Sequence, residues 1–137
     1  MSGGAYGSTS GTKEREPRTL MERLLVFSLA DEIESLRSED EWVDNDKNSR
    51  TLAKDVDFRA LLSVLHEGAT LDDQDGDARA SVQVIEGTAE LEVGGERSQL
   101  EVGQLAVVDT GSPWIVRATT DCALLITFAW PVEKAGV

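Results

Sequence analysis

Thr88-Ala89-Glu90-Leu91-Glu92-Val93-Gly94-Gly95-Glu96-Arg97-Ser98-Gln99-Leu100 is the stretch that decides the fold. Ala89, Leu91 and Val93 alternate with Thr88, Glu90 and Glu92, which is the period of a strand with one face buried. Gly94-Gly95 supplies a two-residue hairpin turn, and 96–100 returns as the partner strand. Further short apolar runs lie on either side. Residues 81–86 end at Gly87, 105–108 run between Gly103 and Gly111-Ser112-Pro113, and 114–118 and 122–130 follow. Upstream, 50–54 and 58–66 flank the polar Asp55-Val56-Asp57 turn, and Gly68 opens a loop carrying Asp72, Asp73, Gln74, Asp75, Gly76 and Asp77. Short strands at near-regular spacing, punctuated by Gly, Pro and Asp, indicate an all-β antiparallel sandwich or barrel. No helical pattern follows Arg50, which argues against a parallel α/β fold.

Ahead of this region, the apolar run 21–27 reads as a first strand. Ser28 reads as a helix N-cap with Asp31 and Glu32 in the first turn, and Leu29, Ile33 and Leu36 form one narrow apolar stripe. This predicts one short N-terminal helix fading near Ser38, followed by a polar turn cluster at 44–48. Residues 1–20 are rich in Gly, Ser and charge and read as a disordered tail. Met21 is a second candidate start. The expected organisation is a tail (1–20), a lead-in of strand, helix and polar turn (21–49), a barrel (50–131) and a C-terminal end (132–137). One domain suits 137 residues.

The formal net charge is −13, from 13 basic and 26 acidic residues. The tail's Lys13, Arg15 and Arg18 outnumber its Glu14 and Glu16, so the acidity lies in the body. Such a body repels nucleic acid and anionic membrane, both of which need Lys/Arg neutralisation. An acidic surface with four lysines suits either ordinary solubility or a salt-adapted host. No apolar run approaches the roughly 18 residues of a membrane span, and the N-terminus lacks the apolar segment of a secretory signal. Cytoplasmic residence is the expectation. Cys122 is the single cysteine, which excludes an intrachain disulfide, and its apolar surroundings mark it as a buried hydrophobe.

The spacing of glycines over residues 50–130 resembles the small single-domain bacterial cupins (cupin-2 type, RmlC-like). Their barrel is an antiparallel double-stranded β-helix, or jelly roll. The family's first motif is Gly, five residues, His-x-His, three or four residues, Glu, six residues, Gly, and Gly68 and Gly87 stand at its two ends without a gap. The second is Gly, five residues, Pro-x-Gly, two residues, His, three residues, Asn, and Gly103 and Gly111 fit it. The resemblance implies a jelly-roll barrel, a metal bound through the three His and the Glu, and a homodimer that exchanges N-terminal strands such as 21–27.

The departures fall on the metal ligands. Gln74 and Gly76 stand at the two His positions of the first motif, Ala80 at the Glu, Trp114 at the third His, Asp109 at the Pro and Ala118 at the Asn. A first-row divalent metal wants imidazole and carboxylate. Gln74 offers one neutral oxygen, and Gly76, Ala80 and Trp114 offer no ligand, because the indole N–H only donates. The expectation is therefore no metal and no cofactor. Gln74, Ala80, Val82, Trp114 and Val116 are the candidate lining of a ligand pocket in the barrel. Trp114 either plugs the space left by the lost ligands or forms the floor of an open mouth.

Other chemistry is thin. His66, the single histidine, reads as an ordinary strand residue or a substrate contact. Asp72, Asp73, Asp75 and Asp77 read as a solvated loop or a weak cation site without EF-hand spacing. Strand alternation puts Glu90 and Glu92 on the solvated face, and Glu86 has no evident partner for acid–base work. Phe58, Phe128 and Trp130 look like core or interface, and Trp42 like a staple over the barrel end. The function expected is a metal-free barrel that binds a small organic ligand or serves structurally. The alternative is an enzyme, either metal-independent or metal-dependent through a site other than the family's.

Overall fold

The alternation at 88–100 is realised as a hairpin in the computed structural model, which describes residues 23–73 and 76–131. Strands Thr88–Val93 and Glu96–Glu101 pair antiparallel, with Val93 opposite Glu96 and Ala89 opposite Leu100. Among the described residues, nine strands follow two helices: α1 Leu29–Arg37, α2 Asp40–Asp44, β1 Lys47–Asp55, β2 Phe58–Leu65, β3 Thr70–Asp73, β4 Arg79–Glu86, β5 Thr88–Val93, β6 Glu96–Glu101, β7 Leu105–Val108, β8 Trp114–Ala118 and β9 Cys122–Ala129. They form a five-stranded sheet in the order β1-β2-β9-β4-β7 and a four-stranded sheet in the order β3-β8-β5-β6. The two inner faces meet in one core, a jelly roll in which sequential neighbours often lie in different sheets.

The core between the sheets is built from alternate residues. Ala80, Val82 and Val84 come from β4, Ala89 and Leu91 from β5, Trp114, Val116 and Ala118 from β8, and Cys122, Leu124, Ile126 and Phe128 from β9. A second cluster covers the outer face of the five-stranded sheet, where Ile33 and Leu36 of α1 pack on Leu62, Val64 and Ala123. β2 is thus buried on both faces. Leu61 and Leu65 look into the barrel, and Ala60, Leu62 and Val64 look toward the helices.

Polar contacts fix the helical layer. Ser28 caps α1 as expected, accepting from the Asp31 N–H. Arg50 on β1 reaches Glu32 and Glu39 at 2.7 Å each. The buried Asn48 amide donates to the Leu36 carbonyl and to Glu39, which satisfies one of the carbonyls left open at the C-terminal end of α1. Trp42 stacks on His66 with ring centroids 3.4 Å apart, which pins α2 to the end of β2.

Several expectations need correction. Residues 23–27 belong to no strand, because no neighbouring strand offers them hydrogen bonds; Leu24 and Val26 are exposed, while Phe27 packs against the helical cluster. Met21, Glu22, the tail and residues 132–137 lie outside the described residues. A second helix, α2, follows the expected one. The barrel begins at Lys47 rather than Arg50, so Lys47 and Asn48 of the polar cluster are strand. Part of the acidic loop is also strand: β3 carries Asp72 and Asp73 and pairs with β8.

Gly87 shows why a glycine closes the first motif. Its φ is +79°, and a Cβ there would run into the Asp121 carbonyl oxygen and come within 2.9 Å of the Cys122 Cα. Both obstacles belong to the facing chain, so no side chain fits.

Candidate ligand site at the Trp114 end of the barrel

β8 carries Trp114 at its first position, between Asp73 of β3 and Val93 of β5. The pattern of β8 alternates strictly, with Trp114, Val116 and Ala118 buried and Ile115 and Arg117 exposed. Trp114 therefore faces inward and is 3% exposed. Of the candidate lining, Ala80, Val82, Trp114 and Val116 come together in the interior cluster. Gln74 lies outside the described residues.

Phe128 is the hub of this end. It pairs in register with Arg59 on one side and Ala80 on the other. Trp114 stacks toward it at 6.3 Å between centroids and 22° between planes, and Trp130 stacks at 5.8 Å. Arg59, on the inward face of β2, lays its guanidinium over Phe128 at 4.6 Å and near Trp130 at 5.6 Å. Sequence reasoning did not single out Arg59. β2 is apolar on both faces, so its alternation is hidden, and only counting back in twos from the inward Leu65 would have turned Arg59 into the barrel.

Two buried donors here lack an acceptor. Among the described residues, neither the Arg59 Nε nor the Trp114 Nε1 has a hydrogen-bond partner. Buried N–H groups are ordinarily paired, and each one left unpaired costs about 1–3 kcal/mol. Arg59 also makes no ion pair among the described residues, although acidic residues outnumber basic ones 26 to 13. At the rim, Arg79 and Asp109 pair at 2.7 Å. The Arg79 hydrogen bond, with help from the Thr110 N–H, holds the Asp109 carboxyl below its ordinary value.

The cupin metal positions do not fit a metal in this geometry. Ala80 has no donor atom, and the buried indole of Trp114 occupies the third His position as an N–H donor. Gly76 is buried at φ +68°, and a Cβ there would press on the backbone nitrogens of Ser112 and Pro113 at 3.2 and 3.3 Å. Its carbonyl accepts from the Gly111 N–H at 2.6 Å, which ties the first-motif loop to the second. Among the described residues no three His, Cys, Asp or Glu side chains converge as a metal site.

The remaining titratable candidates lie elsewhere. His66 sits just beyond β2 at the opposite end of the barrel, roughly 20 Å of strand from Arg59. Its Nε2 lies 2.9 Å from the Trp42 carbonyl and its Nδ1 3.9 Å from Asp121. Cys122 is fully buried near that same end, and burial pushes its thiol up to about 11. Glu86 pairs with Arg37 at 2.6 Å outside the barrel, and Glu92 lies 3.5 Å from Arg97. Asp77 is exposed, and Asp75 lies outside the described residues. Among the described residues no helix is long and apolar enough to cross a membrane.

No protein-family model matches the sequence, and no curated protein is detectably similar to it. Solved structures do match the fold. A conserved protein of unknown function from Streptococcus pyogenes superposes with a TM-score of 0.64 at 20% identity, over 88% of this chain and 100% of that one. A cupin-2 domain containing protein from Shewanella frigidimarina gives 0.59 at 18%, over 76% and 94%. KdgF from Halomonas sp. gives 0.58 at 21%, over 66% and 85%. With its two packed antiparallel sheets and its motif glycines at the turns, the chain has the fold of a small cupin-type jelly-roll barrel.

Proposed function

We propose that this barrel binds a small organic molecule at its Trp114 end without a metal, and that it acts as a binding module rather than an enzyme. One observation carries the reading: an indole 3% exposed stands at a family metal position with its N–H unpartnered. A side chain serving only as filler would more cheaply be Phe or Leu, since a buried unpaired donor is destabilising. A ligand acceptor would offset that penalty, and the mouths of small barrels are where such ligands sit. The reading against catalysis rests on what surrounds the indole. Apart from the Asp73 carboxylate opposite Trp114, the inward residues beside it on β4 and β8 are Ala80, Val82, Val84, Val116 and Ala118, which offer no general base or nucleophile.

The test is elemental analysis of the purified, untagged protein, together with its thermal midpoint with and without a chelator. The expected result is no stoichiometric metal and an unchanged midpoint. A full equivalent of iron, manganese, nickel or zinc would overturn the reading and put a metalloenzyme first.

A further inference from the structure

We infer that the molecule bound at the Trp114 end is a small organic carboxylate with an apolar body, an inference that rests on the binding-module reading above. Arg59 is the starting point. It lies on the inward face of β2, half-buried, stacked on Phe128 and Trp130, and its Nε is buried without an acceptor. Stacking on aromatic faces leaves the edge of a guanidinium, where all its N–H groups lie, free to hydrogen bond. That edge is a planar fork that matches a carboxylate in two parallel hydrogen bonds.

Trp114 adds a second donor at the same end, since both it and Arg59 flank Phe128. Two unpartnered donors around one aromatic hub define an acceptor-rich ligand head. The rings of Trp114, Phe128 and Trp130 make this end apolar, which suits an apolar body beside the charged head.

Arg59 is the one inward cation on β2, and Arg79 on β4 is already paired with Asp109 at the rim, so the charge of the head falls to Arg59.

The experiment is a titration of the full ¹⁵N-labelled chain, followed at the indole N–H resonances. The protein has three tryptophans, and the Trp114 resonance is the one absent in Trp114→Phe. Benzoate, benzamide and inorganic phosphate are the probes. Benzoate is expected to move the Trp114 resonance saturably, with benzamide and phosphate at least ~10-fold weaker, the scale of one charge-assisted hydrogen-bond pair. Arg59→Gln is expected to weaken benzoate by a similar ~10-fold or more, and Arg59→Lys, which keeps the charge and loses the fork, by less. The Lys variant keeps the test decisive if Arg59→Gln does not fold.

Equal binding of benzoate and benzamide, or benzoate binding indifferent to Arg59, would overturn the carboxylate inference and leave the binding module standing. A Trp114 resonance unmoved by every probe would also overturn it. Stoichiometric metal would instead remove the reading beneath it, and is seen without any titration.

Discussion

Truncating Trp114 in two steps separates its volume from its N–H. Trp114→Ala removes an indole that is 97% buried against Phe128 and the neighbouring β4 and β8 side chains. The lost burial and the cavity left behind should cost about 3–5 kcal/mol. Trp114→Phe keeps one ring in place. The smaller ring gives up about 1–2 kcal/mol of burial and packing. Loss of the unpaired N–H recovers about 1–3 kcal/mol, because the donor leaves water on folding and meets no acceptor. The two effects nearly cancel, so Trp114→Phe should lie within about 1 kcal/mol of the wild type in the absence of ligand. Urea unfolding followed by circular dichroism measures both, provided the slope of free energy against denaturant is shared. A Trp114→Phe loss approaching that of Trp114→Ala would show that the indole N–H has an acceptor after all, and the ligand argument would lose its starting point.

Other consequences are as direct. Gly87→Ala should destabilise by more than about 2 kcal/mol, since strain at φ +79° adds to the collision with Asp121 and Cys122. Gly95→Ala, at φ +84° with nothing within 4 Å of its Cβ, should cost only the strain of about 1–2 kcal/mol, and equal urea midpoints for the two would refute the steric account. The Cys122 thiol, raised by burial to about 11, favours the fold below the unfolded thiol value and loses that contribution as pH climbs toward 11. The urea midpoint of the wild type should accordingly fall more steeply with pH above about 8.5 than that of Cys122→Ala, and identical slopes would contradict it. Leu105 and Val107 on edge strand β7, 58% and 66% exposed, and Leu24 and Val26 on the lead-in leave apolar surface open. We expect a homodimer, and a monomer mass by light scattering at micromolar concentration would overturn it.

The hairpin 88–101, the bounds of β5, β7 and β8 and the Ser28 cap were all legible, because each rests on local signals: strict alternation, paired glycines, a hydroxyl before an acidic turn. The motif glycines were legible for the same reason, and Gly87 is a residue that only glycine can be. β3 was not legible. Its four residues hold a single inward apolar side chain, Leu71, and they become strand by pairing with β8, which is a tertiary event. Residues 24–27 misled in the opposite direction, being apolar enough for a strand yet without a neighbour to complete the ladder. Of the candidate site, Ala80 and Trp114 were singled out by motif spacing, and Val82 and Val116 follow two residues on along β4 and β8. Arg59 escaped because a strand with two dry faces shows no period.

That doubly covered strand also sets how the molecule can be divided. Leu62, Val64 and Ala123 are 0% exposed, in the cluster that Ile33 and Leu36 of α1 and Trp42 of α2 cover. Cutting the chain at the start of the barrel would strip that roof and leave a sticky apolar plate on the back of the sheet whose front holds Arg59 and Phe128. The smallest piece that keeps this wall dry on both sides therefore begins at Phe27, just ahead of the Ser28 cap, so a grafted, shuffled or minimised version of the barrel has to carry its helices with it.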